Sequence, residues 1–292
     1  MCDEDTVIES NSYLAQESKM GRRDFNKLAV GAAAILMLPP VANALEVVGH
    51  DVMVNTPDGD ADCYFVHPAK GKHPGVIIWP DILGLRPAFR LMGERLAKSG
   101  YAVLVVNPYY RSARSPVIEP GASFQDAKTR NRVMPYYRAL SAETNVTDAK
   151  AYVAYLDAQN AVDVKRKIGT TGYCMGGPMV MRTAAAIPER IGAGGSFHGS
   201  GLVTNDAESP HLLIKNMQAD LLIAVAANDD ERAPNDKEVL RKTAAKYGLK
   251  AEIEVYEGAM HGWCPPDSRV YHEKQAEQAW VRLLHTFENA LG

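Results

Sequence analysis

The sequence predicts a single α/β domain built on a mainly parallel central sheet with helices on both faces. Three observations carry that prediction. Short apolar runs alternate along the chain with amphipathic segments of helical period, as in successive βαβ units. Two of those runs, Val76–Trp79 and Tyr101–Val106, are apolar throughout, as strands buried on both faces require. The 292 residues are 46% apolar and 23% charged, a composition that excludes disordered, collagenous and low-complexity chains. A formal net charge of −3 leaves no basic footprint for nucleic acid. Four cysteines are too few for a disulfide scaffold. No run approaches the roughly 18 apolar residues of a membrane-spanning helix.

The elements follow in order. His50–Val54 and Ala61–Val66 read as strands joined by a turn at Pro57-Asp58-Gly59-Asp60. Val76–Trp79 is the first central strand, Arg90–Lys98 a helix stopped by Gly100, and Tyr101–Val106 the next strand. From Asn107 to about Ser141 no period emerges, and prolines and arginines accumulate. Stretches of this length carry function or short helices of their own. Val146–Asp157 is helical by period, Ile168–Gly172 a strand and Met175–Ala186 a helix. Ile191–Phe197, Leu221–Ala227 and Ala251–Tyr256 complete the strands, with helices over about Asn235–Tyr247 and Tyr271–Ala290. Ligands of such sheets gather at the C-terminal strand ends.

Residues 1–44 stand outside this pattern. A polar, acidic start leads to Arg22-Arg23, with Phe25 and Lys27 behind the pair, and then to the apolar run Leu28–Leu38. That run is short for a membrane span and suits the apolar core of a signal peptide. Pro39-Pro40 breaks it, and Ala42-Asn43-Ala44 supplies the small residues of a cleavage site. The arginine pair resembles a twin-arginine export signal, with Gly21 and Asn26 as mild departures. The expectation is a leader over 1–44, a mature domain over 45–292, the twin-arginine machinery as partner during translocation, and a periplasmic product. The competing reading is an amphipathic helix packed on the domain of a protein that stays in the cytoplasm.

One strand-to-helix junction carries the chemistry. Gly172-Tyr173-Cys174-Met175-Gly176-Gly177 lies between a predicted strand and a predicted helix, the pattern of a nucleophile elbow with cysteine in place of serine. Glycines two residues either side allow backbone to pack closely around the turn. The helix N-terminus favours a thiolate over a thiol. A nucleophile needs a base, and the base an orienting acid. Past Leu221–Ala227 stand Asp229 and Asp230, and past Ala251–Tyr256 stands His261, in the chain order nucleophile, acid, base.

These pieces, with Trp79-Pro80-Asp81-Ile82-Leu83-Gly84-Leu85 and Tyr256-Glu257-Gly258-Ala259-Met260-His261, resemble the dienelactone hydrolase family, also called carboxymethylenebutenolidases. The resemblance covers roughly Ala61 to the C-terminus. It implies an α/β-hydrolase fold, hydrolysis of small lactones or activated esters, and no cofactor or metal. Carried over, the triad is Cys174, His261 and Asp229 rather than Asp230. Asp81 stands where the family has glutamate, as a carboxylate that modulates the thiol, with a turn-forming aspartate as the alternative. The backbone N–H groups of Ile82 and Met175 would form the oxyanion hole. The family holds a substrate carboxylate with two arginines. Arg130 is the candidate for one, but Pro265 occupies the other position, which favours neutral activated esters. His198 and Trp263 are further candidates for the pocket wall.

Two other classes compete. One is an exported binding or thiol-redox protein in which Cys174 pairs with Cys63 or Cys264. The other is a metal site from Asp229, His261, His198 and Cys264, weakened because no close ligand pair such as Cys-x-x-Cys is present.

The leader is testable by itself. Replacing Arg22 and Arg23 together by lysine should hold the full-length precursor in the cytoplasm, measured by fractionation and immunoblotting. Undiminished periplasmic accumulation would remove the twin-arginine assignment.

Overall fold

The computed structural model describes Glu9, residues 12–14 and residues 37–292. The arginine pair and all of the predicted apolar leader core except Met37 and Leu38 lie outside the described residues. No helix among the described residues is long and apolar enough to cross a membrane.

Eight strands form one sheet: β1 Val47–Thr56, β2 Gly59–Pro68, β3 Gly75–Trp79, β4 Ala102–Val106, β5 Ile168–Tyr173, β6 Ile191–Phe197, β7 Asp220–Ala226 and β8 Ala251–Tyr256. Their order is β1-β2-β4-β3-β5-β6-β7-β8. β3 to β8 pair in parallel, while β2 runs antiparallel to both β1 and β4. The α/β-hydrolase fold is thus present, with a hairpin at one edge of a parallel sheet. The chain reverses its direction of travel across the sheet at β3, so the loops after β3 and β5 meet at a switch point.

Side-chain alternation builds two cores from one strand. On β4, Leu104 and Val106 enter the core on one face and Val103 and Val105 the core on the other. The first face is covered by α3 (Ala142–Asp157), α4 (Gly176–Ala186) and α6 (Asp236–Tyr247), which contribute Tyr152, Leu156, Val180, Met181 and Leu240. The second is covered by α1 (Pro87–Lys98) and α7 (Glu273–Ala290), through Phe89, Leu96, Leu283 and Phe287. Burial on both faces explains why the central strands show no polar alternation.

The differences from expectation have local causes. α1 starts three residues before Arg90, at Pro87, because proline is accommodated in a first helical turn. The Asn107–Ser141 stretch contains α2, Ala127–Arg138, with Pro135 inside it. Pro135 forfeits one backbone hydrogen bond near the end of the helix, where few further turns depend on it. Asp229 sits in the short helix α5, Ala227–Arg232, rather than in a bare turn. A 3₁₀ helix over Pro210–Asn216, which had no sequence signal, packs beside α4 and α6.

Close backbone packing is concentrated at the β5–α4 junction. A Cβ on Gly172 would lie 2.2 Å from the Gly176 carbonyl oxygen, and one on Gly176 would lie 2.3 Å from the Trp79 carbonyl oxygen. Neither neighbour is a flexible side chain. Gly172→Ala should therefore cost about 2–3 kcal/mol by overpacking, seen as a Tm lower by roughly 5–10 °C in thermal denaturation. An unchanged Tm would mean that the junction yields without strain.

Candidate active site

A cleft opens at the C-terminal strand ends, with Cys174, His198 and His261 in its wall beside Asp81, Ile82 and Arg86. Cys174 is held at φ +54, a left-handed conformation unusual for a side chain other than glycine. Hydrogen bonds fix it there: its N–H donates to Phe197 O at 3.0 Å, and its carbonyl accepts from Gly177 N at 3.0 Å and Ser200 N at 3.2 Å. The predicted elbow is therefore a real strained turn, immediately before α4.

Asp229 Oδ2 lies 2.7 Å from His261 Nδ1. Asp230 turns away to pair with Lys237 at 2.6 Å. Asn228, a residue without a sequence signal, accepts from the His261 backbone N–H at 2.8 Å. Glu9 reaches the same corner, accepting from Asn228 Nδ2 at 2.6 Å and Arg232 Nη2 at 2.5 Å.

Cys174 is disulfide-bonded, whereas Cys63 and Cys264 are free and buried. The expected pairing of Cys174 with Cys63 or Cys264, on which the thiol-redox alternative rested, is thus corrected. Each of those residues is enclosed in apolar core. Burial pushes both thiols upward, which keeps them protonated and unreactive. Asp229, His261, His198 and Cys264 do not combine into a metal-holding group, and no other such group occurs among the described residues.

Asp81 lines the cleft with Cys174 but is committed to Arg86. Its two carboxylate oxygens accept from Arg86 Nη1 at 2.7 Å and Nη2 at 3.0 Å. Arg86 also binds Asp267 through Nε at 2.6 Å and Nη2 at 2.8 Å. Burial opposes the guanidinium charge, but Asp81 and Asp267 outweigh it and hold Arg86 above its ordinary range. Asp81 Oδ1 further accepts from Leu83 N at 2.9 Å, so it also shapes the turn that carries Ile82. The turn-forming role given as the alternative is the one its bonds display.

Ile82 and Met175 face one another across Tyr109, a residue without a sequence signal. The Tyr109 hydroxyl lies 2.9 Å from Ile82 O and 3.1 Å from Met175 Sδ. Among the described residues, neither the Ile82 nor the Met175 N–H donates to another backbone carbonyl.

Arg130 is corrected. It does not line the cleft; from α2 it donates to Phe124 O at 3.1 Å and Gln125 O at 2.6 Å, bracing the loop that does. Besides Arg86, the wall carries a second cation, Arg269, bonded to Asp126 at 3.2 Å. Its position, eight residues after His261, lies outside the family's spacing and carries no sequence signal. Trp263 is likewise not in the wall: fully buried, it stacks on Tyr256 with ring centroids 5.4 Å apart. His198 is in the wall, 1% exposed, with its ring edge-to-face against His261 and Trp263 at 4.9 and 5.0 Å.

Residues 61–291 match the family model described as the dienelactone hydrolase family. The chain belongs to that family. Membership makes it a hydrolase of ester bonds. It is 29% identical over 233 residues to a Synechocystis protein named "Putative carboxymethylenebutenolidase", covering 78% of this chain and 91% of the relative. Two solved structures share its fold. A dienelactone hydrolase from Anabaena variabilis superposes with a TM-score of 0.60 at 16% identity, covering 84% of this chain and 99% of that one. A dienelactone hydrolase-like promiscuous phosphotriesterase from metagenomic libraries gives 0.66 at 21% identity, with the same coverages of 84% and 99%.

In this family member the Asp81–Arg86–Asp267 bridge ties the loop after β3 to the segment after His261. Arg86→Met would leave two carboxylates facing an apolar side chain, an uncompensated arrangement that should cost about 3 kcal/mol. Urea denaturation measures this. Stability within experimental error of the parent would show that the carboxylates find other partners.

Proposed function

We propose that the protein hydrolyses small lactones or activated esters through a Cys174–His261–Asp229 triad and a thioester acyl-enzyme. The observation that carries this is the 2.7 Å contact of Asp229 Oδ2 with His261 Nδ1, in a cleft that His261 shares with Cys174. Asp229 orients the imidazole and stabilises its protonated form. His261 takes the thiol proton, and the Cys174 sulfur adds to the ester carbonyl carbon. The oxyanion is met by the N–H groups of Ile82 and Met175, each such donor lowering the barrier by about 3 kcal/mol. Loss of the alcohol leaves the thioester, which water hydrolyses with His261 as base. Thiolate leaves more readily than alkoxide, so ordinary alkyl esters revert and activated esters go forward.

The wall supports neutral substrates. Asp81 and Asp267 share the single cation Arg86, Arg269 is partly neutralised by Asp126, and Pro265 stands at the clamp position. Attack also requires Cys174 to be reduced. Export belongs to the same proposal: Ala42, Asn43 and Ala44 are exposed, and the domain's first backbone tie is Leu45 N to Lys98 O at 3.0 Å. Removal of residues 1–44 would also release the Glu9 contacts.

The test is a panel of aryl esters, enol lactones and acyl thioesters, including one enol lactone that bears a carboxylate and the same lactone with that carboxylate as its methyl ester. The reduced parent should turn these over, favour the methyl ester, and lose several orders of magnitude in kcat on Cys174→Ala. Iodoacetamide should label Cys174 and spare Cys63 and Cys264. Near-parental turnover by Cys174→Ala would transfer the nucleophile elsewhere.

A further inference from the structure

His198 is a polar side chain placed where burial alone does not explain it. Its ring is 1% exposed, and neither ring nitrogen has a hydrogen-bond partner outside its own residue. Several other buried polar atoms lack partners, but among the described residues His198 is the one of them that lines the cleft. An unmet polar group in an apolar layer is costly, so such a group facing a reaction cleft points to a ligand or an ordered water.

The backbone places the ring deliberately. His198 has φ +39, a second left-handed position one strand away from Cys174. Its N–H donates to Ala224 O at 2.8 Å, and the preceding Phe197 carbonyl accepts from Cys174 N at 3.0 Å. The strand end that seats the nucleophile therefore also throws the His198 ring across the cleft. Contacts with His261 at 4.9 Å and Trp263 at 5.0 Å then fix its orientation. Burial, and then the neighbouring His261, hold the imidazole well below its ordinary pKa. It is thus neutral, with one donor and one acceptor nitrogen.

We infer that His198 is a positioning residue for deacylation: one ring nitrogen holds the hydrolytic water beside His261. This rests on the thioester mechanism above. In the step, His261 removes one proton from the water as its oxygen bonds to the acyl carbon. The carbon–sulfur bond breaks with its electron pair on Cys174 Sγ. The proton held by His261 passes to that sulfur, and the carboxylic acid departs. A weakly basic His198 aims the water without competing for the proton. Acylation, which uses no water, does not need it.

The experiment is pre-steady-state hydrolysis of p-nitrophenyl acetate by the reduced protein, with intact-mass detection of the acetyl-enzyme. Parent, His198→Phe, His198→Ala, His198→Asn and Cys174→Ala are compared. Both apolar variants should keep the burst of one p-nitrophenol per enzyme, accumulate acetyl-enzyme, and turn over on the order of tenfold more slowly. Hydroxylamine, which needs no positioned water, should discharge their acetyl-enzyme at the parental rate. His198→Asn, which tolerates the left-handed backbone and keeps a hydrogen-bonding group, should restore most of the turnover. Using two apolar variants guards against misfolding in one. Equal loss of burst rate and turnover, or unchanged turnover, in a folded apolar variant would overturn the role. Parental activity in Cys174→Ala would overturn the thioester mechanism itself, and this role with it.

Discussion

The site depends on one backbone constraint, the left-handed turn at Cys174. That turn is possible because the chain around it carries no side chains where backbones must touch. Gly176 lies against the carbonyls of Trp79 and Pro80, where added Cβ contacts would be 2.3 and 2.9 Å. Gly177 lies against Gly199 at 2.5 Å on the same measure. Thus the end of β3, the elbow after β5 and the loop after β6 are locked together by direct main-chain contact. Ile82, Cys174, Met175 and His198 all ride on those three segments. A bulkier residue at any contact would separate Cys174 from Ile82 and from the His198 ring.

Around this frame the protein spends its charge on holding loops rather than on the reacting centre. Arg86 joins Asp81 to Asp267, and Arg130 ties down the 124–125 carbonyls. Arg269 is drawn to Asp126. The groups nearest the chemistry are neutral or paired: His198 is kept uncharged by burial, and Asp229 is bonded to His261. Such an arrangement offers fixed dipoles, which under the proposed mechanism would stabilise a developing oxyanion without reorganising. It also offers a substrate carboxylate little free positive charge.

The sequence by itself determined the strands, the elbow and the placing of Cys174, Asp229 and His261 at successive strand ends. Those features are local: strand burial appears as unbroken apolar runs, and the elbow as a glycine-flanked cysteine at a strand–helix boundary. Helices were legible where period and stop signals agreed, but α2 was hidden because Pro135 and a polar face erase the period. Choosing Asp229 over Asp230 needed the resemblance to a family, since adjacent aspartates differ only in where the chain points them. Tertiary structure alone decided the partners of the charged residues. Arg86 and Asp267, far apart in the chain, meet because the loops after β3 and β8 converge on one rim. Arg130 and Trp263 leave that rim for packing roles, while Arg269 joins it and the buried Tyr109 bonds to Ile82 O. Such pairings depend on distances between segments that carry no mark of one another, so no spacing rule within the chain encodes them.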